Sequence, residues 1–160
     1  VDNGSDDDSI ERIREYTQGK LELESDFFQY NKSNKPLNYL ELEKDKYEGV
    51  DYQDLFSGNL IILKNDKNYG FAEGNNVGIN FAQNYLQPDY IEILNNDIVV
   101  KTDYLDEMVK IISADKKIGV VGPKIYFYDY QGRKDVQTAL GGYINWWIYP
   151  GYNYLEDRKI

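Results

Sequence analysis

Three short stretches carry side chains suited to holding phosphate, sugar or metal: Asp2-Asn3-Gly4-Ser5, Lys64-Asn65-Asp66 and Asn95-Asn96-Asp97. Asp97 follows an apolar run and two amides, so a carboxylate at a strand end could hold a divalent cation against a diphosphate. Such ions take most of their ligands from water and phosphate and need only one or two protein carboxylates. Asn and Asp are also the commonest turn formers, and Asn95-Asn96-Asp97 taken alone reads as a turn. Asp2 has the same two readings: it could accept a hydrogen bond from a nucleobase imide or a ribose, or cap the following helix, a task Asp8 serves better. From Asn68 to Gly78 the glycines at 70, 74 and 78 fall four apart at a helix entry, where free N–H groups could face an anion. Close helix packing explains that spacing equally well, and the segment is neither GxGxxG nor GxxxxGK[ST].

Composition narrows the chemistry further. The 160 residues carry 18 Lys+Arg against 28 Asp+Glu, a net charge of −10, which disfavours nucleic acid as a partner. With no Cys and no His, the chain has no thiol nucleophile, imidazole base or tetrahedral zinc site. A proton must move through a carboxylate, Lys or Tyr, and a metal must be a hard ion such as Mg²⁺ or Mn²⁺. No run of about 18 apolar residues is present, so no transmembrane segment is predicted and the sequence reads as cytoplasmic. Sixteen tyrosines, with Trp146-Trp147, Tyr149, Tyr152 and Tyr154 near the end, suggest an aromatic acceptor platform or simply core filling.

The elements that must position these residues follow from periodicity. Asp8 and Glu11 have capping-pair spacing, and Ile10, Ile13 and Tyr16 or Thr17 predict a helix over Ser9–Thr17 ended by Gly19. Between Lys20 and Gly58, Leu21–Glu24 and Asn38–Glu43 alternate around a turn at Asn31–Pro36, which suggests a hairpin insertion, and Asp45–Ser57 reads as an acidic loop. Leu60–Leu63 is an apolar run suited to a strand covered on both faces. Val77, Phe81 and Tyr85 predict a helix closing at Gln87-Pro88; Tyr90–Leu94 reads as a strand; Leu105, Met108, Val109 and Ile112 mark another helix. Ile118–Val121 and Lys124–Tyr128 read as further strands. Alternating strands and helices predict an α/β fold with a mostly parallel sheet, whose ligands sit outside the carboxyl ends of the strands. Val1 reads as the last residue of a strand, so the sequence looks like part of a longer domain.

Val1-Asp2-Asn3-Gly4-Ser5, Asn65–Ala82 with its Asn68–Ile79 core, Leu94-Asn95-Asn96-Asp97, Ile118–Ile125 and Gly141-Gly142, in that order and spacing, resemble the family 2 glycosyltransferases, with rhamnosyltransferase-like members closest. The resemblance implies a GT-A (Rossmann-like) fold, with residues 1–160 forming one incomplete nucleotide-sugar-binding domain interrupted by an insertion at about 20–58. It implies inverting transfer of a sugar from a nucleotide-diphosphate donor, such as dTDP-rhamnose, to a glycan or lipid-linked acceptor. A lipid-linked acceptor would bring the protein to the inner membrane face. Asp2 with Asn3 would bind the base or ribose, while Asn65, Gly70 and Asn76 would line the donor pocket. Asp97 would be the metal-binding end of an Asp-X-Asp motif whose first carboxylate is here Asn95, followed by Asn96. The metal would be Mg²⁺ or Mn²⁺. The family's general base lies in an acidic motif well downstream of the paired glycines; Glu156-Asp157 comes too soon after Gly141-Gly142 to be assigned to it, and this chain is expected to have little or no transferase activity by itself. An alternative from a different class is a non-catalytic module that binds a glycan or a protein through its Tyr/Trp-rich surface. A truncated sheet edge would also suit pairing with a second copy of the chain.

Overall fold

Helix α1 (Ser9–Thr17) forms where the apolar spacing predicts it, but it is started by a different carboxylate. The Asp8 side chain makes no capping bond; Asp7 Oδ1 accepts from the Ser9 N–H at 2.9 Å, and Asp8 instead pairs with Arg12 at 3.0 Å. At the other end Gly19 takes a positive φ of 73°, and the Gly19 and Lys20 N–H groups donate back to Tyr16 and Glu15. This left-handed turn stops the helix while satisfying its last carbonyls.

The computed structural model describes residues 1–25, 28–47, 60–139, 142–144 and 151–153. They fall into two units, Val1–Ile98 and Val99–Ile160, which together give a mixed α/β fold. In the first unit β1 (Tyr39–Glu43) pairs in parallel with β2 (Leu60–Lys64), in the register Tyr39↔Leu60 through Glu43↔Lys64. Asp2 adds a single parallel bridge to Lys64 on the other side of β2. The sequence-based expectation of a hairpin is therefore corrected. Leu21–Glu24 forms no strand, and Tyr39–Glu43 pairs in parallel with β2. Two-residue periodicity identifies a strand but not its partner, which is why the alternation at 21–24 looked equivalent to that at 39–43. The acidic loop expected over Asp45–Ser57 lies outside the described residues from position 48 onward.

Alternation sorts the sheet into two faces. Leu42 and Leu63 pack with Val77 and Phe81 of helix α2 (Phe71–Phe81), flanked by Leu40, Tyr47, Ile61 and Leu86. Ile62 and Leu63, on opposite faces, are both only 4% exposed, as the uninterrupted apolar run requires. On the face opposite the α2 core, Glu41 receives both arms of Arg14 from α1, at 2.6 and 2.7 Å, and Lys64 at 3.0 Å. The α2 axis continues into one π-type turn, Ala82–Leu86, and ends at Gln87 in the left-handed region, at the expected boundary.

Tyr90–Leu94 is not a strand, and Ile91, Ile93 and Leu94 are exposed. Strand propensity supplies the side-chain pattern, but a ladder also needs a neighbouring backbone. In the second unit helix α3 (Tyr104–Ala114) buries Met108. The short β3 (Ile125–Tyr126) pairs antiparallel with β4 (Gln137–Ala139), and β5 (Gly142–Ile144) with β6 (Gly151–Asn153). Ile118–Val121 likewise forms no strand, and Val120 is 88% exposed. The described sheets are thus one parallel and two antiparallel pairs. No helix among the described residues is long and apolar enough to cross a membrane.

Candidate functional site

At the carboxyl end of β2 the chain turns sharply, and the turn is organised by one side chain. Asn3 donates from Nδ2 to Asn68 Oδ1 and to the Gly70 carbonyl, each at 3.0 Å. Its Oδ1 accepts from Asn65 Nδ2 at 2.9 Å and from the Tyr69 N–H at 3.1 Å. Both donors and both lone pairs of the carboxamide are therefore used. Asn68 Oδ1 also accepts from the Gly70 N–H at 2.7 Å, so Asn68 and Asn3 together fold the loop from Asn65 to Gly70 onto the segment after Asp2.

The glycines of this segment have separate reasons. Gly70 has φ 81° and precedes α2. A Cβ at Gly74 would lie 2.9 Å from Asn3 Cγ, and one at Gly78 would lie 2.8 Å from a Val1 methyl. Helix α2 thus approaches the Val1–Asn3 segment along a glycine face, the packing reading of the four-residue spacing. The Gly70 N–H, held by Asn68, does not stand free toward an anion.

Asp2 enters through its backbone: its N–H donates to the Leu63 carbonyl at 2.8 Å and its carbonyl accepts from the Asn65 N–H at 2.9 Å. Among the described residues its half-buried carboxylate makes no hydrogen bond or ion pair. Asn65 is 7% exposed, and its Oδ1 is buried with no hydrogen-bond partner among the described residues. Beside it lies a cleft of about 450 Å³, lined by Glu43–Lys46 and Lys64–Asp66 together with Tyr69. The Tyr69 hydroxyl donates to Asp66 at 2.6 Å and holds that carboxyl below its usual range. Lys44 lies 3.9 Å over the Tyr69 ring, and its ammonium is pushed up by the same hydroxyl. Glu43 and Lys46 form an ion pair. The cleft therefore carries both charge signs, largely matched.

Asp2, Asn3, Asn65 and Gly70 come together at this edge. Asn76 is exposed on α2, with Nδ2 3.5 Å from Glu73. Asn95, Asn96 and Asp97 are exposed, with Asn96 and Asp97 in a turn, and among the described residues no hydrogen bond or ion pair ties them to the strand-end cluster. No group of three or more potential metal ligands gathers among the described residues. Gly141, Trp146-Trp147, Tyr149, Tyr154 and Glu156-Asp157 lie outside the described residues, and the side chain of Tyr152 does as well. Sequence reasoning missed Asn68, Tyr69 and Lys44 as members of the site. Asn68 stands in the same glycine-spaced segment, but the partner that gives it a role is 65 residues away.

The sequence pattern described as Glycosyl transferase family 2 matches residues 48–160, more than two-thirds of the chain. The match takes in Asn65, Gly70, Asn76 and Asn95–Asp97, and begins downstream of Asp2 and Asn3. No curated protein and no solved structure gives a match. A family match over this span, together with a mixed α/β fold whose parallel pair ends in the amide-rich edge, means that the chain belongs to glycosyl transferase family 2.

Proposed function

We propose that the chain binds a nucleotide-diphosphate sugar at the carboxyl edge of β2 and that the whole protein passes the sugar, with inversion, to an acceptor hydroxyl on a glycan or lipid-linked carrier. The observation that carries this reading is the unengaged Asp2 carboxylate beside a loop locked by Asn3, in a chain of this family. Asp2 would accept hydrogen bonds from a base imide or ribose hydroxyl. Asn3 acts as a positioning residue, because its amide is spent on holding Asn65–Gly70. Gly70 leaves open space where a side chain would stand, Asn76 offers an exposed amide, and the buried Asn65 helps hold the loop through its bond to Asn3.

A Mg²⁺ or Mn²⁺ ion fits the donor set at Asn95-Asn96-Asp97: one exposed carboxylate and two exposed amides, the remaining ligands coming from diphosphate and water. Asp97 would hold it, and a bound ion would supply Lewis-acid neutralisation of the diphosphate's charge. With no His in the chain, deprotonation of the acceptor within it falls to a carboxylate, Lys or Tyr. The rhamnosyltransferase likeness makes dTDP-rhamnose the first donor to test. Calorimetric titration with dTDP- and UDP-sugars is expected to show binding that Mn²⁺ strengthens; absence of binding to every donor, with and without metal, overturns the proposal.

A further inference from the structure

Asn3 is the only asparagine in the chain followed by glycine. That dipeptide is chemically labile, because a glycine nitrogen has no neighbouring Cβ to hinder its attack on the preceding side-chain carbonyl. Here both members are required by the fold. Gly4 has φ 75°, and a Cβ on it would lie 2.4 Å from the Lys67 carbonyl carbon, so neither the backbone conformation nor the space admits a larger residue. Asn3 must be an amide, because two of its four partners, Asn68 Oδ1 and the Gly70 carbonyl, need donors. A carboxylate in its place would set oxygen against oxygen. Neither adapts: Asn68 Oδ1 also holds the Gly70 N–H at 2.7 Å, and the Gly70 carbonyl is fixed by its bond from the Gly74 N–H at 3.0 Å.

We infer that Asn3 is a site of spontaneous deamidation, held off by its own hydrogen-bond lock and exposed whenever the Asn65–Gly70 loop opens. The Gly4 nitrogen, losing its proton to solvent base, attacks Asn3 Cγ; a C–N bond forms, the Cγ–Nδ2 bond breaks, and Nδ2 leaves as ammonia. Water then opens the resulting cyclic imide at either carbonyl, giving aspartate or isoaspartate. The net change is exchange of the amide NH₂ for OH, with one water consumed and one ammonia released. Cyclisation needs Asn3 Cγ to swing onto the backbone, which the four bonds to residues 65, 68, 69 and 70 oppose. Once formed, either product lacks both donors and cannot rebuild the lock. The modification therefore runs one way, from a closed loop to a loosened one.

The test is a time course of the full chain in mildly alkaline buffer, folded and in urea, read by peptide mass mapping and by enzymatic methylation of isoaspartate. The folded chain is expected to convert at least about tenfold more slowly than the unfolded one, since local opening must precede reaction. Asn68→Ala, checked for retained helical circular dichroism, is expected to convert faster than the folded wild type. Asn3→Asp, standing in for the product, is expected to speed hydrogen exchange of the Tyr69 N–H, because a carboxylate oxygen set against the Gly70 carbonyl loosens the loop that carries it. Equal rates folded and unfolded, or a Tyr69 amide as protected in Asn3→Asp as in the wild type, would overturn the inference. The Tyr69 readout stands even if Asn68→Ala fails to fold.

Discussion

Glu41 shows how one residue couples α1 to the sheet. Arg14 and then Lys64 hold its carboxyl at about 2, below the ordinary 4.5, although burial alone would raise it. Because the folded value is depressed, its stabilisation is complete above about pH 4.5 and is lost as the pH falls through about 2. At 17% exposure the side chain still sees solvent, so Glu41→Gln is expected to cost about 2 kcal/mol at neutral pH, less than the full shift implies. In urea denaturation that difference should shrink as the pH approaches about 2; an unchanged difference at both pH values contradicts this role. At this scale the sequence was only half legible. Asp2, Asn3 and Asn65 could be nominated from strand-end position, whereas the amide lock joins residues 62 to 67 apart in the chain, a distance that no local pattern encodes.

Among the elements, helix α2 is the one the site depends on, because its glycine face lets it approach Val1–Asn3. Gly74→Ala would push a methyl to within 2.9 Å of an amide pinned by four hydrogen bonds, at an expected cost of about 1–3 kcal/mol. Gly78→Ala meets only a Val1 methyl, which can move aside, and gains about 1 kcal/mol of helix propensity, so it should be close to neutral. Thermal melts of the two variants check the contrast, and equal losses would contradict the packing reading. Helices α1 and α2 and strand β2 were legible because each carries a long or uninterrupted apolar signature. Tyr39–Glu43 was visible as a strand but not as the parallel partner of β2. Tyr90–Leu94 and Ile118–Val121 have the side chains of strands but form none. Pairing is a property of the sheet and not of the segment.

Over the whole molecule, a net charge of −10 opposes the approach of a diphosphate. Without metal, donor affinity is therefore expected to rise as salt increases from about 20 to 150 mM, where screening shortens the reach of the repulsion. Affinity that falls steeply over the same range would contradict this and point to direct pairing with exposed Lys or Arg. Family membership was legible because several short blocks in order are more specific than any one of them, and residues 48–160 bear that pattern. The relation between the Asp2–Asn3 edge and Asp97 was not legible, because it depends on how a turn is carried relative to a strand end. Paramagnetic broadening by Mn²⁺, recorded by amide NMR with a nucleotide sugar bound, measures that relation directly. Simultaneous broadening of the amides at residues 3, 65–70 and 95–97 is the predicted result; broadening at 95–97 alone, with the strand-end loop untouched, would contradict a shared donor site.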